Sequence, residues 1–342
     1  MTSTTDVSST ADLRTPALVV DRQAFDANVA AMSAVRPGRS LRPHVKAFKS
    51  TALARELVAA GHPTFCAATP REIEGLALAG VGDDLLLANE SFDVARLGAL
   101  SDRTDAVITV AVDSDEILDA AIDGGVRSVL LDIDVGLPRC GCDIDTAERL
   151  AERARGAGLD VRGVMGYEGH LMMMENGDDK TRKVGEAMAI LLAASERIGG
   201  DIVSGGGTGT YATNTWCTEI QAGSYTLLDT EYATLDSPFE PALRVLATVV
   251  STSAKGWIIA DAGLKAFGMD HGAPTWDGPG KVLYCSDEHV TLIPDDVGDW
   301  RPGDRVLLLP AHVDPTIARH ETMWVTSGDD VVAEWPVDLR HW

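Results

Sequence analysis

Residues 64–80, TFCAATPREIEGLALAG, contain one full period of the pattern that decides the fold. A short β-rich run ends near Ala67. Thr69-Pro70-Arg71-Glu72 then offers an N-cap hydroxyl, a proline at the first helical position and a capping-box glutamate. The helical stretch behind it stops at Gly80, where a left-handed residue is wanted and glycine has no Cβ to clash. Working outward, Asp113 and Glu116 repeat the capping device, and Gly61, Gly124 and Gly156 each follow another helical stretch. Eight β-rich runs end near Lys46, Ala67, Ala88, Val112, Asp134, Gly166, Ser204 and Ala222. Most are apolar on both faces, as parallel strands covered by helices are. Strands alternating with helices make βαβ units, and eight of them predict an α/β fold, a closed (β/α)8 TIM barrel.

From about Leu243 the texture changes to LRVLATVV, GWIIAD, KVLYC, HVTLIP, DRVLLLP, TMWVT and VVAEW, separated by Gly, Asp and Pro turns. This predicts a second, antiparallel β domain. The early ALVVD run fits neither the barrel count nor a hairpin, so it is expected to cross over and pair with that domain. The expected division is a barrel over 22–235 and a β domain over 236–342 joined by strand 15–21, with 1–14 as a loose tail.

Composition narrows the function classes. The 342 residues are 45% hydrophobic and 24% charged, which is globular arithmetic. Lys plus Arg number 29 against 52 Asp plus Glu, a net charge of −23 that would repel a phosphate backbone, so no nucleic-acid partner is expected. The five cysteines are scattered, and their one close pair, C-G-C at Cys140 and Cys142, matches no C-x-x-C spacing; a reducing cytoplasm fits. The start, MTSTTDVSSTADLR, has no apolar stretch of the signal-peptide kind, and no run of about 18 apolar residues predicts a membrane span.

Four places can carry chemistry. Lys46, ending Arg42-Pro43-His44-Val45-Lys46, stands at the carboxyl mouth of the barrel, where barrel active sites lie, and a desolvated lysine there can form a Schiff base. By itself it also reads as a solvated lysine. Ser204-Gly205-Gly206-Gly207-Thr208-Gly209-Thr210 follows the seventh run and Gln221-Ala222-Gly223-Ser224-Tyr225 the eighth, and both can cradle phosphate. The same glycines meet a relaxed dinucleotide fingerprint, but YATNTWCTE behind them is a poor helix, and that motif needs a helix N-terminus. Arg139, in Asp134-Val135-Gly136-Leu137-Pro138-Arg139-Cys140-Gly141, can hold a phenolate ionised. In Pro310-Ala311-His312-Val313-Asp314-Pro315-Thr316, residues two apart on an extended strand share a face, so His312 and Asp314 can chelate an ion. Imidazole with a hard carboxylate favours Mn²⁺ or Mg²⁺ and also admits Zn²⁺.

Taken in order, TPAL at 15–18, RPHVK, VGLPRCG, GYEGH, GGGTGTY, TEIQAGSY, DAGLKA and PAHVDPT resemble the fold-type III pyridoxal-phosphate enzymes, in their D-threonine aldolase and D-serine dehydratase branch. The resemblance implies an alanine racemase-like barrel with Lys46 bound to the cofactor aldehyde, Arg139 beside its phenolic oxygen and Tyr167 against its ring. It places the Gly206 to Thr208 and Gly223 to Tyr225 loops on the phosphate, and a metal on His312 and Asp314. It also implies a homodimer acting on a small amino acid. His170, in GYEGH, is the candidate base; its plainer reading is a hydrogen-bonded histidine after the sixth run. Lys46-Ala47-Phe48-Lys49 stands where the family often reads K-T-H-K, and Ala318 where an asparagine is common, so substrate identity stays open.

With such a cofactor, removing a β-hydroxyl proton leads to Cα–Cβ cleavage and glycine, whereas losing the Cα proton first expels the hydroxyl. A metal on that hydroxyl assists either route. Within the branch H-x-D goes more often with aldolases and H-x-C with dehydratases. The expectation is therefore a D-3-hydroxy-amino-acid aldolase, with a D-serine or D-3-hydroxyaspartate dehydratase as the alternative. A non-catalytic, single-barrel cofactor carrier is the more distant reading, and a second domain with a chelate argues against it.

Overall fold

The structure, a computed structural model, describes residues 7–296 and 298–341. Regular structure begins with β1 (Ala17–Asp21) and α1 (Arg22–Val35), followed by α2 (Thr51–Ala59), β2 (Thr64–Ala67), α3 (Pro70–Leu78), β3 (Asp84–Leu87) and α4 (Ala95–Leu100). It continues through β4 (Val107–Val112), α5 (Asp115–Asp123), β5 (Ser128–Asp132), α6 (Ile144–Gly156), β6 (Asp160–Gly166), α7 (Asp178–Ile198), β7 (Ile202–Gly205) and β8 (Glu219–Ile220). Beyond these lie β9 (Leu243–Thr252), β10 (Ile258–Ala260), β11 (Thr275–Trp276), β12 (Gly280–Cys285), β13 (Val290–Pro294), β14 (Arg305–Leu309), α8 (Val313–Ile317), β15 (Thr322–Ser327) and β16 (Asp330–Pro336). The chain forms two compact units. One takes in residues 32–46 and 51–223 with the chain from Leu339; the other takes in the chain up to Ala31, residues 47–50 and 224–338. The break falls between 223 and 224, ahead of the expected 235.

In the first unit β2 to β8 form a parallel sheet in chain order, an alanine racemase-like curled half-barrel. Seven regular strands stand where eight were expected. The first expected strand survives only as parallel bridges, Leu41 to Ile220 on one edge of the sheet and His44 to Cys66 on the other. Pro43 has no N–H to give a ladder, although its carbonyl accepts from the Cys66 N–H at 3.0 Å. The capping box of residues 64–80 is present: the Thr69 hydroxyl accepts from Glu72 N–H and the Glu72 carboxylate from Thr69 N–H. Three finer expectations shift. Ser114 rather than Asp113 is the N-cap of α5, the left-handed glycine after that helix is Gly125 (φ 72°) because Gly124 still has helical dihedrals, and Gly156 is the last residue of α6 itself, with Gly158 (φ 89°) the left-handed glycine beyond it.

The inner face of this sheet is layered. Cys66, Leu86, Ala111, Leu130 and Met165 form one buried apolar cluster. Two residues toward the amino ends of the strands, and so on the same face, Asp84 and Thr109 belong to a charged layer. Arg42 donates to Glu219 at 2.7 Å and to Asp84 at 3.1 Å, while Arg162 donates to Asp84 at 2.6 Å and to Thr109 at 2.7 Å. Arg162 reaches in because β6 bulges there: Val161 pairs with Val129 and Gly163 with Leu130, which leaves Arg162 as the extra residue.

The second unit is an antiparallel sheet in the order β12-β13-β10-β9-β1-β15-β16, with β14 also paired to β9 and to β11. β1 lies between β9, antiparallel, and β15, parallel. Its four buried positions, Ala17 to Val20, explain why the run is apolar throughout. The expected loose tail falls in part on residues 1–6, outside the described residues. From Ser9 onward it is corrected: Ser9 bridges Asp330, Thr10 N–H donates to the Asp329 carbonyl, and Leu13 is 4% exposed in a cluster with Ala17, Val19 and Leu246.

Candidate active site

In the first unit the candidate residues leave the carboxyl ends of successive strands. Lys46 is not at a strand end but in a 3₁₀ turn, Val45–Ala47, where it is half-buried and its N–H donates to His44 Nδ1 at 3.4 Å. Arg139 lies on the loop after β5 and Tyr167 directly after β6; the guanidinium stands 5.3 Å from the ring centroid. His170 follows in the 3₁₀ turn Gly169–Leu171 and is exposed. Its ring packs on Gly136, where a Cβ would lie 3.3 Å from the imidazole. A cleft of about 580 Å³ opens there, lined by His170, Val135, Met174, Lys183, Glu186 and Ile190.

The glycine turn after β7 has its shape set by close approach. A Cβ on Gly207 would come 2.9 Å from Met172 Sδ and 3.5 Å from the Tyr167 ring, and one on Gly209 would sit 2.1 Å from the Met172 carbonyl. The turn reads in the sequence as a phosphate cradle of backbone N–H groups, yet two of these are spent within the chain. Gly206 N–H donates to Glu168 at 3.0 Å and Gly207 N–H to the Thr210 hydroxyl at 3.2 Å. Thr208 is buried. Gly223 ends the first unit, while Ser224 and Tyr225 open a buried 3₁₀ turn of the second, with the Tyr225 ring 5.7 Å from Phe239. Burial pushes the Tyr225 phenol up.

Sequence reasoning missed a group around the Arg139 loop. Glu90, Asp113 and Cys140 place their donor atoms within 4.8 Å of one another after β3, β4 and β5. Burial and the neighbouring Glu90 push the Asp132 carboxyl well up, against the pull of Arg139. Burial, with Glu90 again, moves the Cys140 thiol up to about 12, which makes it a poor nucleophile. No disulfide joins the cysteines.

The second unit holds the other candidate. His312 and Asp314 do not share a strand face, as was expected: β14 stops at Leu309, His312 is the extended N-cap of α8 (φ −144°, ψ 119°), and Asp314 lies in that helix's first turn. Among the described residues, the group whose donor atoms lie within 4.8 Å joins His312 to Asp270 and His271. Asp270 Oδ2 stands 2.6 Å from His312 Nδ1, and the His271 ring stacks on His312 at 4.0 Å while its Nδ1 meets Glu231. Slight burial raises the Asp270 carboxyl, but the hydrogen bond and charge of His312, a backbone hydrogen bond and the charge of His271 together outweigh it and hold the group below its usual range. Asp229, 1% exposed, accepts from Val313 and Tyr232 N–H; burial pushes it up to about 6. Asp270 lies in Gly268-Met269-Asp270-His271, which carries no sequence pattern that pairs it with His312.

The donor sets fit the groups that the resemblance implies. A half-buried lysine, an arginine beside a tyrosine ring and a turn that only glycines can make suit a phosphorylated aromatic aldehyde. An imidazole backed by a carboxylate on Nδ1, with a second imidazole among donor atoms within 4.8 Å of one another, suits a divalent ion.

Residues 20–230 match the family described as alanine racemase, N-terminal domain, and residues 242–326 match a putative serine dehydratase domain. The chain belongs to the fold-type III pyridoxal-phosphate enzymes with an alanine racemase-like N-terminal domain, in their D-threonine aldolase-like branch of carbon–carbon lyases. Among its relatives are a D-threonine aldolase of Arthrobacter sp, 33% identical with 95% of this chain and 92% of that one covered, and a 3-hydroxy-D-aspartate aldolase of Paracoccus denitrificans (strain Pd 1222), 30% identical over 96% and 92%. The crystal structure of D-threonine aldolase from Filomicrobium marinum superposes with a TM-score of 0.90 at 31% identity, over 99% of both chains. No helix among the described residues is long and apolar enough to cross a membrane.

Proposed function

We propose that this protein is a pyridoxal-phosphate- and divalent-metal-dependent aldolase that cleaves D-3-hydroxy-amino acids of the D-threonine kind to glycine and an aldehyde, working as a homodimer. The observation that carries the reading is that the Arg139–Tyr167 pair, His170 and the glycine turn issue from the carboxyl ends of one parallel sheet, with Lys46 in a 3₁₀ turn of the same unit. When bound, the cofactor supplies an electron sink for breaking a bond at the substrate's α-carbon. Lys46 would hold the cofactor aldehyde through Nζ, with Arg139 toward its phenolic oxygen and Tyr167 toward its ring. The Gly206–Thr208 and Gly223–Tyr225 segments serve the phosphate end. A ring nitrogen of His170 takes the β-hydroxyl proton; the residue's exposure suits proton exchange with solvent. His312 and Asp314 would hold the ion, manganese or magnesium with zinc also compatible, whose chemistry is to acidify a hydroxyl bound to it.

Incubating the protein with D-threonine and with D-serine, in the presence of pyridoxal phosphate and Mn²⁺, tests this. Glycine and acetaldehyde from D-threonine are expected. The name of the family matched by residues 242–326 favours a second reading, a D-serine or D-3-hydroxyaspartate dehydratase. Ammonia and a 2-oxo acid without glycine would establish that reading in place of the aldolase.

A further inference from the structure

Glu168 sits between Tyr167 and the His170 turn, and its side chain is 0% exposed. A carboxylate buried so completely is costly unless donors surround it. Three do: Oε2 accepts from Gly206 N–H at 3.0 Å, and Oε1 from the Thr210 hydroxyl at 2.8 Å and from Asn214 Nδ2 at 2.9 Å. Through Thr210 the tie extends to Gly207, whose N–H donates to that same hydroxyl. Asn214 passes it on to Cys217 N–H at 3.3 Å, and Arg36 braces the far side by donating to the carbonyls of Tyr211 and Asn214. All three groups on Glu168 belong to the segment after β7. One side chain from the β6 loop thus fixes which way the peptides of the glycine turn point.

We infer that Glu168 is a positioning residue for the phosphate end of the cofactor. It takes up the Gly206 amide directly and the Gly207 amide through Thr210, which fixes the shape of the turn that is to meet the phosphate, and it ties that turn to the loop that carries Tyr167. This inference rests on the function proposed above. It separates two parts of cofactor binding: Lys46 recognises the aldehyde, which pyridoxal also has, whereas the Glu168-held turn recognises the phosphate, which pyridoxal lacks.

The test compares pyridoxal phosphate with pyridoxal on the full chain stripped of cofactor. Binding is read from the visible absorbance of the complex and from the pyridoxyl mass left on Lys46 after borohydride. Glu168→Gln keeps the shape but turns an amide N–H₂ toward a donor. We expect it to weaken pyridoxal phosphate at least tenfold and pyridoxal less than twofold. Thr210→Val, which removes one tie without touching the buried acid, should shift the ratio in the same direction, and Thr210→Ser should restore it. The Thr210 pair decides the matter should Glu168→Gln fail to fold. Parallel losses for both aldehydes, or no loss for either, would overturn the inference while leaving the proposed function intact. Failure of the unaltered protein to bind either aldehyde would overturn both.

Discussion

At His312 a single contact decides which nitrogen is offered outward. With Asp270 on Nδ1 at 2.6 Å, the proton is held on that side and Nε2 keeps its lone pair for an ion. Asp270→Asn is therefore expected to weaken Mn²⁺ binding by roughly ten- to hundredfold, the usual effect of losing a carboxylate behind a ligating histidine. Titration calorimetry with Mn²⁺ checks this, and equal affinity in the variant would remove Asp270 from the site. Asp314→Ala should abolish turnover and leave the cofactor's visible absorbance in place. A protein that lost its colour with Asp314 would contradict the division of labour proposed between the two donor groups.

At the scale of the element, β6 shows how a local irregularity builds the barrel interior. Gly163 has φ 140°, and a Cβ there would stand 2.1 Å from the Ile202 carbonyl. Gly163→Ala should therefore cost roughly 2 kcal/mol or more in urea unfolding, since both the dihedral and the space exclude a side chain. The bulge serves Arg162, whose partner Asp84 gives the charged layer its pH dependence. Burial raises the Asp84 carboxyl, but hydrogen bonds from Arg162 and the charge of Arg42 prevail and hold it at about 2, below the ordinary 3.8. An aspartate depressed in the folded state stabilises the fold fully above the unfolded value, and that contribution is lost as pH falls through the folded one. The shift is equivalent to about 2 kcal/mol. Unfolding midpoints measured from pH 5 down to pH 2 should fall more steeply for the unaltered protein than for Asp84→Asn, which starts less stable because the buried Arg42 and half-buried Arg162 lose the carboxylate they share.

At the scale of the whole molecule, the two donor groups lie in different compact units. Chelation of the ion is expected to stop turnover while the cofactor chromophore persists, and added Mn²⁺ should restore activity. Loss of the chromophore on chelation would show that the ion also holds the cofactor. The alternation of strand and helix was legible because it is local: a capping box, a proline at the first helical position and a glycine stop each act within a few residues, as at Thr69 to Gly80. That Arg139, Tyr167, His170 and the glycine turn follow β5, β6 and β7 at one end of the sheet was legible because the strand ends of parallel units must meet at one edge. What one chain position cannot state is its partner across the fold. Glu168 reads as one more charge in GYEGH until Gly206, Thr210 and Asn214 close around it, and Asp270 reads as a surface acid until His312 lies beside it. Order and type of elements followed from short-range propensity and from the two periods of strand and helix. Which amides are spent inside the chain, which nitrogen stays open and how many strands are regular depended on contacts between residues tens to hundreds of positions apart, which arise only once the chain has folded.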